Sequence, residues 1–305
     1  MRQGMRNRLH RSWAALAAVT AAAVLGVTGC DAVGGASSAP AGDEAGLVKP
    51  SSPPAWDSTP RSIAAVGDSI TTGFNTCVVL ADCPEVSWAT GTSPDVDSLA
   101  VRLLGRSRVA SHSWNYAVSG ARMADLPGQM ARAAARGPEL VTVLAGANDA
   151  CRTSADAMTP VADFRAGFQE ALHTLRHSGA PKAQVFVASV PDLKRLWSQG
   201  RTNALGKQVW KLGICPSMLD DADSLDAEAN LRRSKVEKRV ESYNEVLREE
   251  CAKDRYCRFD GDAVHEYRFG TGQLSRWDWF HPSVDGQARL AEIAYDVVTA
   301  QEAPS

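Results

Sequence analysis

The stretch "AAVGDSITTGFN" (Ala64–Asn75) decides how the rest of the chain is read. An apolar run stops at Gly67-Asp68-Ser69, and small residues follow. Runs that are apolar on both faces belong to buried parallel strands, and Asp and Ser are favoured as caps of a following helix. Ser69 therefore either caps a helix or presents a nucleophilic hydroxyl at a strand end. The choice turns on whether the chain also supplies a base, an acid to orient it, and donors for a developing oxyanion.

Four runs share the strand character: "SIAAVG" (62–67), "SWNYAV" (113–118), "LVTVLAG" (140–146) and "QVFVASV" (184–190). Helical patterns alternate with them. Phe164, Phe168, Leu172 and Leu175 recur at helical spacing before Gly179 and Pro181. Val236, Val240, Tyr243 and Leu247 mark a second amphipathic helix, and a last one runs from Val284 to Thr299. This alternation predicts an α/β fold, a doubly wound sheet between helical layers, with sites at the carboxyl ends of the strands. Four segments then share one rim: Asp68-Ser69, Ser119-Gly120, "GANDAC" (146–151) and "WDWFHPS" (277–283).

Of the six histidines, His10 lies in the N-terminal segment. His173 and His177 sit four apart on a helix with no accompanying H-E-x-x-H or cysteine, which reads as a surface pair. His112 and His265 stand in no partner pattern. His281 differs, because Asp278 precedes it by three residues in a loop entering a helix. One short segment then presents both groups, with Asp278 accepting from one imidazole nitrogen while the other faces Ser69. The backbone N–H of Ser69, the N–H of Gly120 and the side-chain amide of Asn148 are the candidate oxyanion donors; Gly120, without a Cβ, allows close approach. The chain has no G-x-S-x-G, no S-x-x-K, no P-loop and no dinucleotide fingerprint. Neither a metal nor a cofactor is expected.

Gly67-Asp68-Ser69-Ile70, Gly120 within "NYAVSGARM", Asn148 within "GAND", and Asp278-x-x-His281 resemble, in order, the four blocks of the SGNH (GDSL-type) hydrolase family. The resemblance extends over essentially everything from residue 61 to 300. It implies a three-layer α/β/α domain with a parallel, flavodoxin-like sheet and metal-free hydrolysis of esters. It also implies Ser69 as nucleophile, His281 as base, Asp278 as orienting acid, and Ser69, Gly120 and Asn148 as the oxyanion hole. Ile70 stands where many members have Leu, a conservative departure. The activity this suggests is that of a carboxylesterase or lipase. A carbohydrate O-acetyl esterase and a non-catalytic binding module on the same fold are the alternatives.

The first residues read as a targeting segment. Arg2, Arg6, Arg8 and Arg11 precede an apolar stretch from Trp13 to Val27, too short and wrongly flanked for a spanning helix. "VTGC" (27–30) resembles a bacterial lipobox, which places cleavage before Cys30 and a lipid on it; an ordinary secretory signal cut nearby is the alternative. Residues 30–60, rich in Gly, Ala, Ser and Pro, read as a disordered tether, and 61–305 as the hydrolase domain. Loss of residues 1–29 removes four of the 33 basic residues and none of the 35 acidic ones, for a formal charge of −6. That argues against a nucleic-acid partner and leaves membrane attachment to the lipid. An exported monomer is expected, anchored to the outer face of the membrane or secreted, acting on a small-molecule, lipid or acylated-sugar ester.

Setting Cys30 aside, six cysteines remain: Cys77, Cys83, Cys151, Cys215, Cys251 and Cys257. An exported compartment favours disulfides, and no C-x-x-C offers zinc ligands. Local spacing favours Cys77–Cys83 and Cys251–Cys257, leaving Cys151–Cys215, although six cysteines admit about 15 pairings. The six positions look similar to those of secreted actinobacterial-type lipases and esterases. Residues 193–219 resemble the variable, lid-like insertion of the family, with Cys215 expected to pin it. Trp277, Trp279 and Phe280 either wall the substrate site or pack in the core.

Overall fold

Five short segments pair into one parallel sheet: β1 (Ile63–Gly67), β2 (Ser113–Asn115), β3 (Leu140–Leu144), β4 (Gln184–Val187) and β5 (Cys257–Phe259), in the order β2-β1-β3-β4-β5. This is the flavodoxin-like order. The computed structural model describes residues 56–304. The expected signal segment 1–29, Cys30 and the expected tether as far as residue 55 lie outside the described residues. β1, β3 and β4 are buried at every position, as their two-faced apolar sequences require. Helices 126–134, 161–177 and 227–252 pack together, and helices 99–104 and 284–299 pack against each other, giving an α/β/α sandwich. No helix among the described residues is long and apolar enough to cross a membrane.

Two elements differ from the sequence expectation. β2 keeps regular pairing only over Ser113–Asn115, being a half-buried edge strand, although Tyr116 and Val118 still donate to the carbonyls of Ala65 (2.8 Å) and Gly67 (3.2 Å). β5 escaped the reading because it is three residues long with Arg258 at its centre. The Arg258 side chain is buried, donating to the carbonyls of Val297 and Ala300 and lying 4.3 Å over the ring of Trp56. Trp56 Nε1 donates to Val298 O (2.8 Å), and the Gln184 amide brackets the backbone of Asp57. Trp56 and Asp57 are thus packed against β4, β5 and the last helix.

Three disulfides follow the pairing that local spacing favours: Cys77–Cys83, Cys151–Cys215 and Cys251–Cys257. The insertion is helical over Leu193–Gly200, Ala204–Trp210 and Pro216–Leu219, and Cys215 fastens it beside the short helix Ala147–Ala150.

The sheet meets the first loop at Gly67. A Cβ there would stand 2.2 Å from the carbonyl oxygen of Leu144, so only glycine lets β1 and β3 close at this level. Gln129 brackets the same residue, accepting from Gly67 N (2.7 Å) and donating to Gly67 O (2.9 Å). Asp68 then caps the helix Ser69–Thr72, its Oδ1 accepting from Ile70 N (3.0 Å). Its Oδ2 is buried and meets no partner among the described residues. Burial pushes the Asp68 carboxyl up to about 7, against the opposing pull of the Ile70 hydrogen bond and the His281 charge.

Removing the Cys151–Cys215 bridge, which closes a separation of 64 residues, is expected to cost about 2–4 kcal/mol, read as a lower denaturant midpoint of the Cys151→Ser, Cys215→Ser variant. Asp68 makes a second prediction. Between pH about 4 and 7 the folded state holds this proton and the unfolded chain does not, so the group lowers stability as pH rises. Asp68→Asn keeps a capping side chain and abolishes the titration. Its melting temperature relative to the natural protein should therefore climb from pH 4 to pH 8, and a pH-independent difference would contradict the burial effect.

Candidate active site

Ser69 opens the helix that follows β1, and its own turn is clamped by the last helix. Gln287, fully buried, donates to Ile70 O (2.8 Å) and accepts from Trp88 N (2.9 Å). The loop leading into that last helix carries Asp278 and His281. Ser69 Oγ lies 2.8 Å from His281 Nε2, and His281 Nδ1 lies 2.7 Å from Asp278 Oδ2. Residues 212 positions apart in sequence are thus in direct hydrogen-bond contact. The imidazole is flanked edge-on by Phe74 and Phe280, with centroids at 5.1 and 5.4 Å, which limits its rotation.

Asp278 is completely buried. Oδ1 accepts from the backbone N–H groups of Phe280 (3.0 Å) and His281 (2.9 Å), and Oδ2 accepts from His281 and from Asn75 Nδ2 (2.5 Å). Burial works to raise this carboxyl, but the charge and hydrogen bond of His281, with the hydrogen bonds from the Asn75 amide and the Phe280 N–H, outweigh it and hold the group below the usual carboxylate range. The next residue, Trp279, adopts φ +50°, a left-handed conformation unusual for a bulky side chain. The insertion supports it: Trp210 Nε1 donates to Asp278 O (2.7 Å), and Gly206 sits so close that a Cβ would press on the Trp279 ring at 3.1 Å.

Asn148 and Ser69 line one pocket together with His281. Asn148 Nδ2 donates to Ala121 O (3.1 Å), tying the loop after β3 to the turn that contains Gly120. Gly120 itself (φ +83°) is exposed and lies outside the pocket lining. The pocket walls are apolar, formed by Pro191, Leu193, Leu196, Phe269, Leu274 and Phe280, and the open volume is about 20 Å³. That is room for about one water. Of the three aromatics in "WDWFH", Phe280 faces this pocket, Trp279 is packed under the insertion, and Trp277 is covered by the Arg276 guanidinium at 4.5 Å.

The His173 and His177 rings stack at 3.9 Å on an exposed helix face, away from Ser69's pocket. Among the described residues, the one acidic or sulfur-bearing group close enough to share an ion is Cys77, Cys83 and Glu85, and its two sulfurs are bonded to each other. Asn75, Gln129, Trp210 and Gln287 went unread in the sequence. Asn75 stands within the opening stretch, but its partner lies 203 residues away and no local spacing announces it.

The GDSL-like lipase/acylhydrolase family matches residues 63–294. No curated protein is significantly similar to the chain in sequence. Among solved structures, an extracellular lipase from Streptomyces rimosus is 17% identical, covering 77% of this chain and 97% of its own, with a TM-score of 0.44. An acetylxylan esterase from Geobacillus stearothermophilus, solved as a catalytic mutant, is 17% identical over 80% of this chain and 96% of its own, with a TM-score of 0.47. At identities this low a likeness bears on fold at most. The family match spans most of the chain, including Ser69, Asn148, Asp278 and His281, and the chain accordingly belongs to the GDSL-like lipase/acylhydrolase family of ester-bond hydrolases.

Proposed function

We propose that this protein is an exported serine esterase that cleaves carboxylic esters through an acyl-enzyme. The observation that carries the reading is the unbroken hydrogen-bond path from Ser69 Oγ through His281 to the buried Asp278. In the first step His281 Nε2 takes the Ser69 proton while Oγ attacks the ester carbonyl, and Asp278 stabilises the imidazolium that forms. The N–H of Ser69 and the Asn148 amide, both in the pocket wall, receive the oxyanion, and the Gly120 N–H, on the neighbouring turn that Asn148 holds, is the third donor of the proposal. His281 then protonates the leaving alcohol. Water, deprotonated by the same imidazole, attacks the acyl-enzyme and releases the acid.

The narrow apolar pocket beside Ser69 favours a short acyl group. A long chain would require Leu193 and Leu196 of the insertion to move aside. This is also the observation that keeps a carbohydrate O-acetyl esterase as the second reading. Export is supported by the three disulfides, which persist in oxidising compartments. Attachment through a lipid on Cys30 is part of the same proposal and rests on the "VTGC" motif.

Ser69→Ala is expected to abolish turnover of p-nitrophenyl esters, and Asn148→Ala to lower kcat by about 10²–10³. Across acyl chains from acetyl to palmitoyl, activity should peak at the short end; a maximum at palmitoyl would favour a lipase with a mobile insertion. Cys30→Ser should shift the protein from the membrane fraction into the medium, and retention in the membrane would exclude the lipid anchor.

A further inference from the structure

Asn75 is 2% exposed and adopts φ +56°, a conformation that Asn tolerates better than most residues. Its backbone is fastened on both sides, N–H to Ala81 O (3.0 Å) and C=O to Ser275 Oγ (2.5 Å). Its side chain is equally constrained. Oδ1 accepts from the backbone N–H of Leu80 (2.5 Å), and Nδ2 donates to Asp278 Oδ2 (2.5 Å). A backbone N–H can only donate, so the amide oxygen must face Leu80 and the amide nitrogen must face Asp278. Leu80 belongs to the small loop closed by Cys77–Cys83, whose tip at Val78, Val79 and Leu80 is exposed and adds little to the core.

We propose that Asn75, oriented by the Cys77–Cys83 loop, is a positioning residue for the hydrolytic reaction that aims the Asp278 carboxylate at His281. The inference rests on the reading of Ser69, His281 and Asp278 as the reacting groups. Without Asn75, Oδ2 would keep one donor, its other lone pair would be buried without a partner, and the carboxylate would more readily shift or hold a proton. With Asn75 in place, both oxygens have two donors each and the side chain has one orientation. The benefit is felt most when positive charge develops on His281, which belongs to the transition state rather than to substrate binding. Asp278 is the ionisable group that faces Asn75, with His281 directly behind it.

The test measures kcat and KM against pH for Asn75→Ala and Asn75→Asp beside Ser69→Ala, using p-nitrophenyl acetate. Asn75→Ala should lose about 10- to 100-fold in kcat, the range for a hydrogen bond to a charged group, with KM unchanged. Asn75→Asp sets a second carboxyl against Asp278. It should work best at the acid end of the range in which the natural protein's kcat is level, where the two carboxyls share a proton, and lose kcat as pH rises through that range. That titration is a readout a merely structural role would not give, and activity at the acid end certifies the fold. Cys77→Ser with Cys83→Ser leaves Asn75 in place, loosens the segment that carries Leu80, and should also lower kcat at constant KM. Parallel pH profiles with natural kcat in the Asn75 variants, beside an inactive Ser69→Ala, would overturn this inference alone. An active Ser69→Ala would overturn the underlying reading instead.

Discussion

A carboxylate taken completely out of water must have its lone pairs filled by donors, and Asp278 is the place where this fold meets that demand. Two donors are local, the N–H groups of Phe280 and His281, and come from the tight turn itself. The other two are the His281 ring and the Asn75 amide, and the latter comes from the far end of the domain sequence. A fifth contact, from Trp210 to the Asp278 carbonyl, fixes the peptide that carries the group. The loop between β5 and the last helix can therefore hold its shape only when the turn after β1 and the insertion are already docked on it. The left-handed Trp279 in the middle of that loop fits the same picture, since a strained residue persists only where its surroundings determine it.

The sheet makes this convergence possible. With the order β2-β1-β3-β4-β5 all parallel, the loops after β1 and β3 lie side by side at the rim where a doubly wound sheet opens a crevice. The backbones close at Gly67, where no side chain would fit beside Leu144. Two buried glutamines then serve the turn from opposite layers, Gln129 from the helix Leu126–Ala134 and Gln287 from the helix Val284–Thr299. Each satisfies backbone groups that the sharp exit from the strand would otherwise leave without partners.

The pocket and the Asp278 loop are coupled through the insertion. Leu193 and Leu196 wall the pocket, Trp210 supports Asp278, and Cys215 is bonded to Cys151, three residues beyond Asn148. One segment thus walls the pocket, holds the Asp278 peptide and is bonded to the loop of a candidate oxyanion donor. Changes that widen the pocket by displacing its first helix would also bear on the geometry of the Asp278 loop, so selectivity and rate are not separable variables in this architecture.

The strands β1, β3 and β4, the long helices and the four rim segments were legible in the sequence because each depends on local periodicity or on turn residues with few alternatives. Asp278 and His281 were legible as a pair for the same reason, since one loop of four residues carries both. β5 was not, because three residues with a central Arg carry no period, and its burial depends on Trp56 and on carbonyls at the end of the last helix. Asn75, Gln129, Trp210 and Gln287 were also silent. An amide or an indole reads alike wherever it stands in a sequence, and its meaning comes from the partner it finds across the fold. By itself the sequence determined that a parallel sheet carries the candidate groups on one rim; only the tertiary structure decided how those groups are aimed, because aim depends on hydrogen bonds between segments that share no local pattern.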